Sequence, residues 1–179
     1  MSWSRRAVLG LVPLGTLALS GCFRPMLAEG TAQSGLRGRI ALPPVEGRLG
    51  YHLTRRLEAR LGSPADPAYR LQVDLTTRQV DLAITQDNTI TRRTIIATAD
   101  WRLLRLGDPG PLISRRQVAR SGYNATGSLY ATRSAERTVE RRLAEELAER
   151  IAREIFAGAT EIEAQAGQAP SPDPGASGS

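Results

Sequence analysis

Apolar residues recur along the chain at two different spacings, and these spacings predict its secondary structure. Leucines recur at every fourth position within Arg48–Leu61, which places them on one face of a helix. Gly62 and Pro64 follow this series and are expected to end the helix. A second fourfold series, carried by valine, leucine and isoleucine, predicts a long helix over Thr132–Phe156 with its C-cap at Gly158.

Between the two helices the apolar spacing changes to every second residue, which is typical of half-buried strands. A polar break at 86–89 and a Gly/Pro-rich break at 107–111 predict the turns between these strands. The predicted strands are Arg37–Val45, Tyr69–Ile84, Ile90–Leu106 and Leu112–Tyr123. The order β-α-β-β-β-α predicts an α+β domain, with an antiparallel-rich four-stranded sheet and two helices packed on one face.

The first 22 residues have the layout of an export signal. Arg5 and Arg6 precede thirteen uncharged residues, which as a helix would span about 20 Å and therefore cannot cross a hydrocarbon core of ~30 Å. Leu19-Ser20-Gly21 then leads to Cys22, the only cysteine, in the pattern of a bacterial lipobox. We therefore predict that Cys22 carries a thioether-linked diacylglyceryl group and becomes the first residue of the mature protein. The alternative is an ordinary signal peptide with an incidental cysteine.

These features divide the chain into four predicted segments. Residues 1–21 are a lipoprotein signal peptide, and residues 22–35 are a lipidated tether of mixed polarity. Residues 36–162 form a single domain, as the length suggests. Residues 163–179 are rich in Ala, Gly, Pro and Ser and are expected to be a disordered tail.

Composition excludes several kinds of chemistry. All 24 basic residues are arginine, so a phosphate loop that needs lysine and any Schiff-base lysine are absent. With one cysteine and one histidine there is no disulfide and no zinc site. His52 has no accompanying nucleophile motif and is interpreted as a surface or boundary residue. We predict no enzyme activity, no metal and no cofactor beyond the covalent lipid on Cys22.

The formal net charge of +6 falls to 22 − 18 = +4 once Arg5 and Arg6 are removed with the signal, and it favours an anionic partner. Paired arginines are the candidate contacts, because guanidinium groups bind phosphate oxygens in a bidentate manner. The alternative is that these pairs belong to solvated faces. Nucleic acid is not an expected partner, since the chain is exported and has few aromatic residues for base stacking. The candidates considered are Arg55-Arg56, Arg92-Arg93, and Arg115-Arg116 together with Arg120 on the last strand.

Several short motifs, in order along residues 19–158, are similar to one known family. They are Cys22-Phe23-Arg24-Pro25-Met26-Leu27, Leu53-Thr54-Arg55-Arg56-Leu57, Thr91-Arg92-Arg93, Ser121-Gly122-Tyr123-Asn124, Tyr130-Ala131-Thr132, Ala135-Glu136 and Arg141-Arg142. In this order and spacing they resemble the LPS-assembly lipoprotein LptE family in its alphaproteobacterial form. The start departs from the family's usual Cys-Gly-Phe-x-Pro-Leu-Tyr, because the glycine after Cys22 is missing and Met-Leu replaces Leu-Tyr.

The resemblance implies a role as well as a fold. Members are small lipoproteins with two helices over a four-stranded sheet. They plug the lumen of the LptD barrel, assist its assembly and bind lipopolysaccharide, and they are not enzymes. The acyl groups on Cys22 would hold the protein at the periplasmic side of the outer membrane, since Phe23 replaces the aspartate that retains lipoproteins in the inner membrane. Because lipid A carries phosphates, the expected contacts are Arg92, Arg93, Arg115 and Arg116.

Two other functions remain open on the residues alone. One is an accessory lipoprotein of an ABC-type phospholipid transport system, which would also be an anchored α/β domain. The other is an anchored hydrolase that uses His52. Co-purification with a large outer-membrane barrel distinguishes the first role from the phospholipid system, and a His52→Ala variant tests the hydrolase.

Overall fold

The computed structural model describes residues 31–84, 90–108, 110–125 and 128–167. The signal, Cys22, the polar break at 86–89 and the end of the tail lie outside these residues. The helices are α1 (Ala32–Leu36), α2 (Gly47–Leu61), α3 (Leu129–Ala157) and α4 (Ala159–Gly167). The strands are β1 (Ile40–Ala41), β2 (Tyr69–Ile84), β3 (Ile90–Arg105) and β4 (Pro111–Asn124).

The four strands form one sheet in the order β1-β2-β3-β4. β1 pairs with β2 in parallel, whereas β2, β3 and β4 pair antiparallel over long stretches. Helices pack against one face of this sheet, with α3 contacting α2, β3 and β4. The predicted α+β fold with an antiparallel-rich four-stranded sheet is therefore confirmed.

The alternation predicted for the strands divides the sheet into two faces. On β3 the odd-numbered residues from 95 to 103 are buried, and Trp101 and Leu103 are among the largest fully buried side chains. The antiparallel register sets odd residues of β2 and β4 beside them. We call this the covered face: the odd-numbered residues 69–81, 93–105 and 113–123. Between its larger side chains lie the small buried residues Ala97 and Ala99, and helix α3, which contacts β3 and β4, carries the buried residues Ala144, Ala148 and Ala152.

Helix α2 forms as its leucine spacing predicts, with all four leucines buried. Gly62 ends it at φ 85°, a conformation that favours glycine, and its backbone N–H donates to the carbonyl of Glu58. Gly50 lies on the buried side, where a Cβ would come within 2.5 Å of the Val45 carbonyl oxygen. Glycine therefore lets the incoming loop run directly against the first turns of the helix.

Helix α3 begins earlier than the expected Thr132. Ser128 is its N-cap and accepts a hydrogen bond from the backbone N–H of Ala131. At the other end the N–H of Gly158 donates to the carbonyl of Glu154, which confirms the predicted C-cap. The buried stripe contains the residues that the fourfold spacing predicted: Val139, Leu143, Leu147, Ile151 and Ile155.

Three boundaries differ from the sequence prediction. The first strand covers only Ile40–Ala41, because Pro43 and Pro44 lack the N–H groups that would extend pairing with β2. Helix α1 begins inside the segment interpreted as a tether up to residue 35, and Thr31 caps it. Helix α4 continues to Gly167, beyond the expected domain end at 162. These two helices are too short to show a periodic pattern, and they pack on each other beside the end of α3.

Candidate functional site

The face of the sheet opposite the helices carries most of its charged residues. We call it the open face: the even-numbered residues 70–80 of β2, 92–104 of β3 and 114–124 of β4, as the strand register defines them. Its arginines are Arg70, Arg78, Arg92, Arg102, Arg116 and Arg120. Asp74 and Asp100 are the acidic residues of this face.

The structure separates the two arginine doublets that lie on strands, Arg92-Arg93 and Arg115-Arg116. Adjacent residues of a strand point to opposite faces, so Arg92 lies on the open face while Arg93 lies on the covered face. In the same way Arg116 is on the open face and Arg115 is not. Arg92 pairs with Asn124 of β4 in the strand register. Asn124 and Arg116 are eight residues apart along β4, so Arg92 and Arg116 are separated by roughly 27 Å. The four predicted residues therefore do not form one site.

Two of the four predicted arginines are engaged by carboxylates. The Nε of Arg93 lies 3.4 Å from Oδ1 of Asp81. Arg116 holds Asp100 through two hydrogen bonds, at 2.6 Å from Nε and 3.1 Å from Nη2, and these bonds raise the pKa of Arg116 above its ordinary value. Their positive charges are thus locally compensated, which makes them weaker candidates for binding an anion.

Arg93 belongs to a polar cluster on the covered face. The cluster includes Tyr123, whose hydroxyl lies 3.5 Å from Oε1 of Gln79. Burial raises the pKa of Tyr123, and the nearby Glu136 raises it further, whereas the hydrogen bond with Arg93 opposes them. This arrangement connects β2, β3, β4 and α3, and it indicates a structural role for Arg93.

Arg92 has different neighbours. With Arg78 and Arg120 it surrounds a shallow hollow of about 590 Å³ on the open face, floored by Val80, Thr94 and Ile96. All three arginines are exposed, and none of them forms an ion pair with another residue in the part of the chain that the structure describes. We call these three residues the arginine triad.

Strand register accounts for the triad. Arg78 pairs with Ile96, and Ile96 pairs with Arg120, so two guanidinium groups flank one apolar side chain on strands about 10 Å apart. Gly122 pairs with Thr94, between the Ile96–Arg120 pair and the Arg92–Asn124 pair. A Cβ at position 122 would come within 3.3 Å of the Thr94 hydroxyl. The hollow therefore combines separated positive charges with an apolar floor.

The sequence analysis missed Arg78 because it is not part of a doublet, and it considered Arg120 only together with Arg115-Arg116. In the structure Arg78 pairs with Ile96, whereas a hairpin centred on the polar break at 86–89 would set Arg78 opposite Ala97 and so place it on the other face of the sheet. Arg120 required the register of β4 as well, which the sequence does not fix.

A second group of exposed residues lies where α3 begins, at the same end of the sheet as the triad. Leu129 and Tyr130 are 65% and 83% exposed. They line a hollow of about 370 Å³ with Arg133 and Arg137. Apolar and cationic side chains therefore lie side by side here too.

The remaining sequence candidates are His52 and Cys22. His52 is half-buried on α2 and makes an edge contact with the ring of Tyr51 at 5.5 Å between centroids. Over the described ranges, no three His, Cys, Asp or Glu side chains are placed to hold a metal ion. In the same ranges, no helix is long and apolar enough to cross a membrane. Cys22 lies outside these residues, so its lipidation stays a prediction.

The fold is similar to that of small α+β domains of bacterial lipoproteins. A candidate lipoprotein from Caulobacter crescentus CB15 has 26% identity and a TM-score of 0.60, covering 72% of this chain and 96% of its own. The rare lipoprotein B from Shewanella oneidensis has 12% identity and a TM-score of 0.55, covering 69% and 96%. A minor lipoprotein from Acinetobacter baumannii has 21% identity and a TM-score of 0.51, covering 66% and 89%. The last two similarities concern the fold alone.

A family model gives the particular relationship. The model described as LptE, lipopolysaccharide-assembly, matches residues 36–155, about two thirds of the chain. The chain therefore belongs to the LptE lipopolysaccharide-assembly family, as its motifs indicated. No curated protein matches it in the corresponding comparison.

Proposed function

We propose that this protein is an outer-membrane lipoprotein that plugs an LptD-like barrel, assists its assembly and binds lipopolysaccharide during insertion into the outer leaflet. Family membership supports the assembly role. The lipobox that ends at Cys22 supports anchoring through covalent lipid at the periplasmic side. The protein acts as a binding and assembly factor in this proposal, not as an enzyme.

The observation that carries the binding proposal is the arginine triad. Lipid A combines phosphates with acyl chains, and a ligand of that kind needs cationic and apolar contacts close together. Arg78 and Arg120 flank Ile96, and Arg92 lies near Val80 at the end of the same hollow. Hydrogen bonds from guanidinium groups to phosphate are charge-assisted and each contributes about 1.5–3 kcal/mol.

The binding test replaces the triad and compares it with a matched arginine of the same face. We expect Arg92→Gln, alone or with Arg78→Gln, to weaken lipopolysaccharide binding by about tenfold or more per residue, which corresponds to ~1.4 kcal/mol. Arg102→Gln is the control, since Arg102 is held by Asp74 at 3.1 Å. Binding is measured by retention of labelled lipopolysaccharide on the immobilised full chain. Equal losses for Arg92→Gln and Arg102→Gln would remove the triad from the site.

The barrel partner is tested by gentle-detergent co-purification of the full chain with identification of the bound protein by mass. Recovery of a large outer-membrane barrel in stoichiometric amount supports the plug role. Recovery of an ABC-type phospholipid transport complex instead would favour the alternative. The anchor is tested in the same preparation: Cys22→Ala is expected to yield an unprocessed or soluble product, and unchanged membrane attachment would contradict lipidation.

A further inference from the structure

In the part of the chain that the structure describes, the outer edge of the long strand β4 is paired with no other strand. β4 is last in the strand order and spans Pro111–Asn124. The carbonyl of Ser114 accepts a hydrogen bond from Arg115, and the carbonyl of Val118 accepts one from Arg150 of α3, both at 3.0 Å. In an antiparallel sheet, the carbonyl groups of every second residue point to the same edge of the strand. The even-numbered residues of β4 therefore direct their backbone groups away from β3.

A groove runs between this edge and the helices. One part, of about 430 Å³, lies between Ile113 and the junction of α3 with α4 at Gly158. The other part, of about 420 Å³, lies between Gln117 and Arg153. Glu154 and Ala157 line both parts, so the groove is continuous along the first half of β4.

Glu154 supplies an acceptor within this groove. Its Oε1 accepts a hydrogen bond from the side-chain amide of Gln117. Its Oε2 is buried and has no hydrogen-bond partner among the residues that the structure describes. A buried carboxylate oxygen without a donor is costly, and a backbone or side-chain donor on a strand lying in the groove would satisfy it.

The charge along the edge selects the partner. β4 carries Arg115, Arg116 and Arg120 and no acidic residue. On the facing wall Arg150 and Arg153 lie beside Glu154, and Glu161 lines the other part of the groove. A second copy paired antiparallel through the same strand would oppose arginine to arginine, which is unfavourable. Acidic side chains on an incoming strand would instead take up the guanidinium groups that now hold the carbonyls of Ser114 and Val118.

We propose that β4 is a docking edge for an extended acidic segment of a partner protein, which adds to the sheet as a fifth strand. Main-chain hydrogen bonds to the even-numbered residues of β4 supply affinity, as in other cases of strand addition. Carboxylates at alternate positions of the segment face Arg120 on the open side, which is exposed and forms no ion pair within the described residues. Small apolar residues at the other positions lie in the groove beside Ile113 and Ala157. This inference is independent of lipopolysaccharide binding.

The test uses two synthetic peptides of the length of β4 and the full chain in detergent. In one peptide valine alternates with glutamate, and in the other valine alternates with lysine. We expect the glutamate peptide to bind at least about tenfold more tightly by fluorescence anisotropy, and to slow amide hydrogen exchange at the even-numbered residues of β4. Equal affinity for the two peptides, no binding of the glutamate peptide, or slowed exchange at β2 in place of β4 would overturn the proposal.

A pair of substitutions at Val118 separates strand addition from simple charge attraction. Val118 is 38% exposed, and proline there removes an outward N–H without breaking the ladder to β3. Val118→Pro is expected to weaken glutamate-peptide binding about tenfold, whereas Val118→Thr, which keeps the N–H, leaves it within about twofold. Circular dichroism checks that both variants are folded. If the proline variant does not fold, the exchange pattern of the unsubstituted chain decides. Equal binding by two folded variants, or exchange protection that rises with protein concentration without peptide, would contradict the proposal.

Discussion

The two faces of this sheet are built from alternate residues of the same three strands, and they have opposite properties. Along β3, Trp101 and Leu103 are buried, with at most 1% of their surface exposed. Their neighbours Asp100 and Arg102 point to the other side and form ion pairs with arginine and aspartate of the adjacent strands. The covered face therefore provides most of the stability, while the open face is free to vary its charges. We expect four substitutions to distinguish the two faces, with effects that decrease from the first to the last.

The largest effect is expected from a cavity under the covered face. Leu147 of α3 is fully buried, so Leu147→Ala should lower the free energy of unfolding by about 2–5 kcal/mol. Leu129 is the matched control on the same helix, since it is 65% exposed, and Leu129→Ala should change stability by less than about 0.5 kcal/mol. Urea denaturation measures both. Similar midpoints for the two variants would show that α3 does not form the core described here.

A smaller effect is expected where α2 meets its own entry loop. An added Cβ at Gly50 would lie 2.5 Å from the Val45 carbonyl oxygen, a backbone atom that cannot swing away. Gly50→Ala should therefore cost about 1–3 kcal/mol. Gly35→Ala is the control, because its Cβ meets only the carboxylate end of the Glu163 side chain, which can rotate. Thermal unfolding of both variants checks this, and a Gly35→Ala variant as damaged as Gly50→Ala would refute it.

The next effect depends on pH and on the polar cluster of the covered face. Burial raises the pKa of Tyr123 above its ordinary value of about 10. The folded state then holds this proton more tightly than the unfolded state, so the stabilisation is present below pH ~10 and is lost as pH rises through the folded pKa. Tyr123→Phe should flatten the decline of stability above pH ~10. Equal slopes for Tyr123→Phe and the unsubstituted chain would contradict the assignment.

Sequence reasoning recovered the covered face better than the open one, for a physical reason. Burial imposes a period on apolar residues, so Leu53 and Trp101 could be placed from spacing alone. The arginine triad depends on which residues of three strands lie side by side, and this register is fixed by turns and by the packing of α3. Adjacent arginines such as Arg92 and Arg93 looked like a pair in the sequence, yet strand geometry sends them to opposite faces.

The smallest effect is expected from breaking an ion pair of the open face, and it gives the sharpest comparison between the faces. Asp74 and Arg102 meet at 3.1 Å, with side chains 73% and 50% exposed. Exposed pairs of this kind contribute little because water and salt screen them, so Asp74→Asn should change the free energy of unfolding by less than about 1 kcal/mol. The same substitution frees one positive charge on the open face, and an anionic ligand should then bind no more weakly than to the unsubstituted chain. Urea denaturation and labelled lipopolysaccharide binding on one preparation test both statements. A loss of stability comparable to that of Leu147→Ala would mean that the open face is structural and that the division between the two faces is wrong.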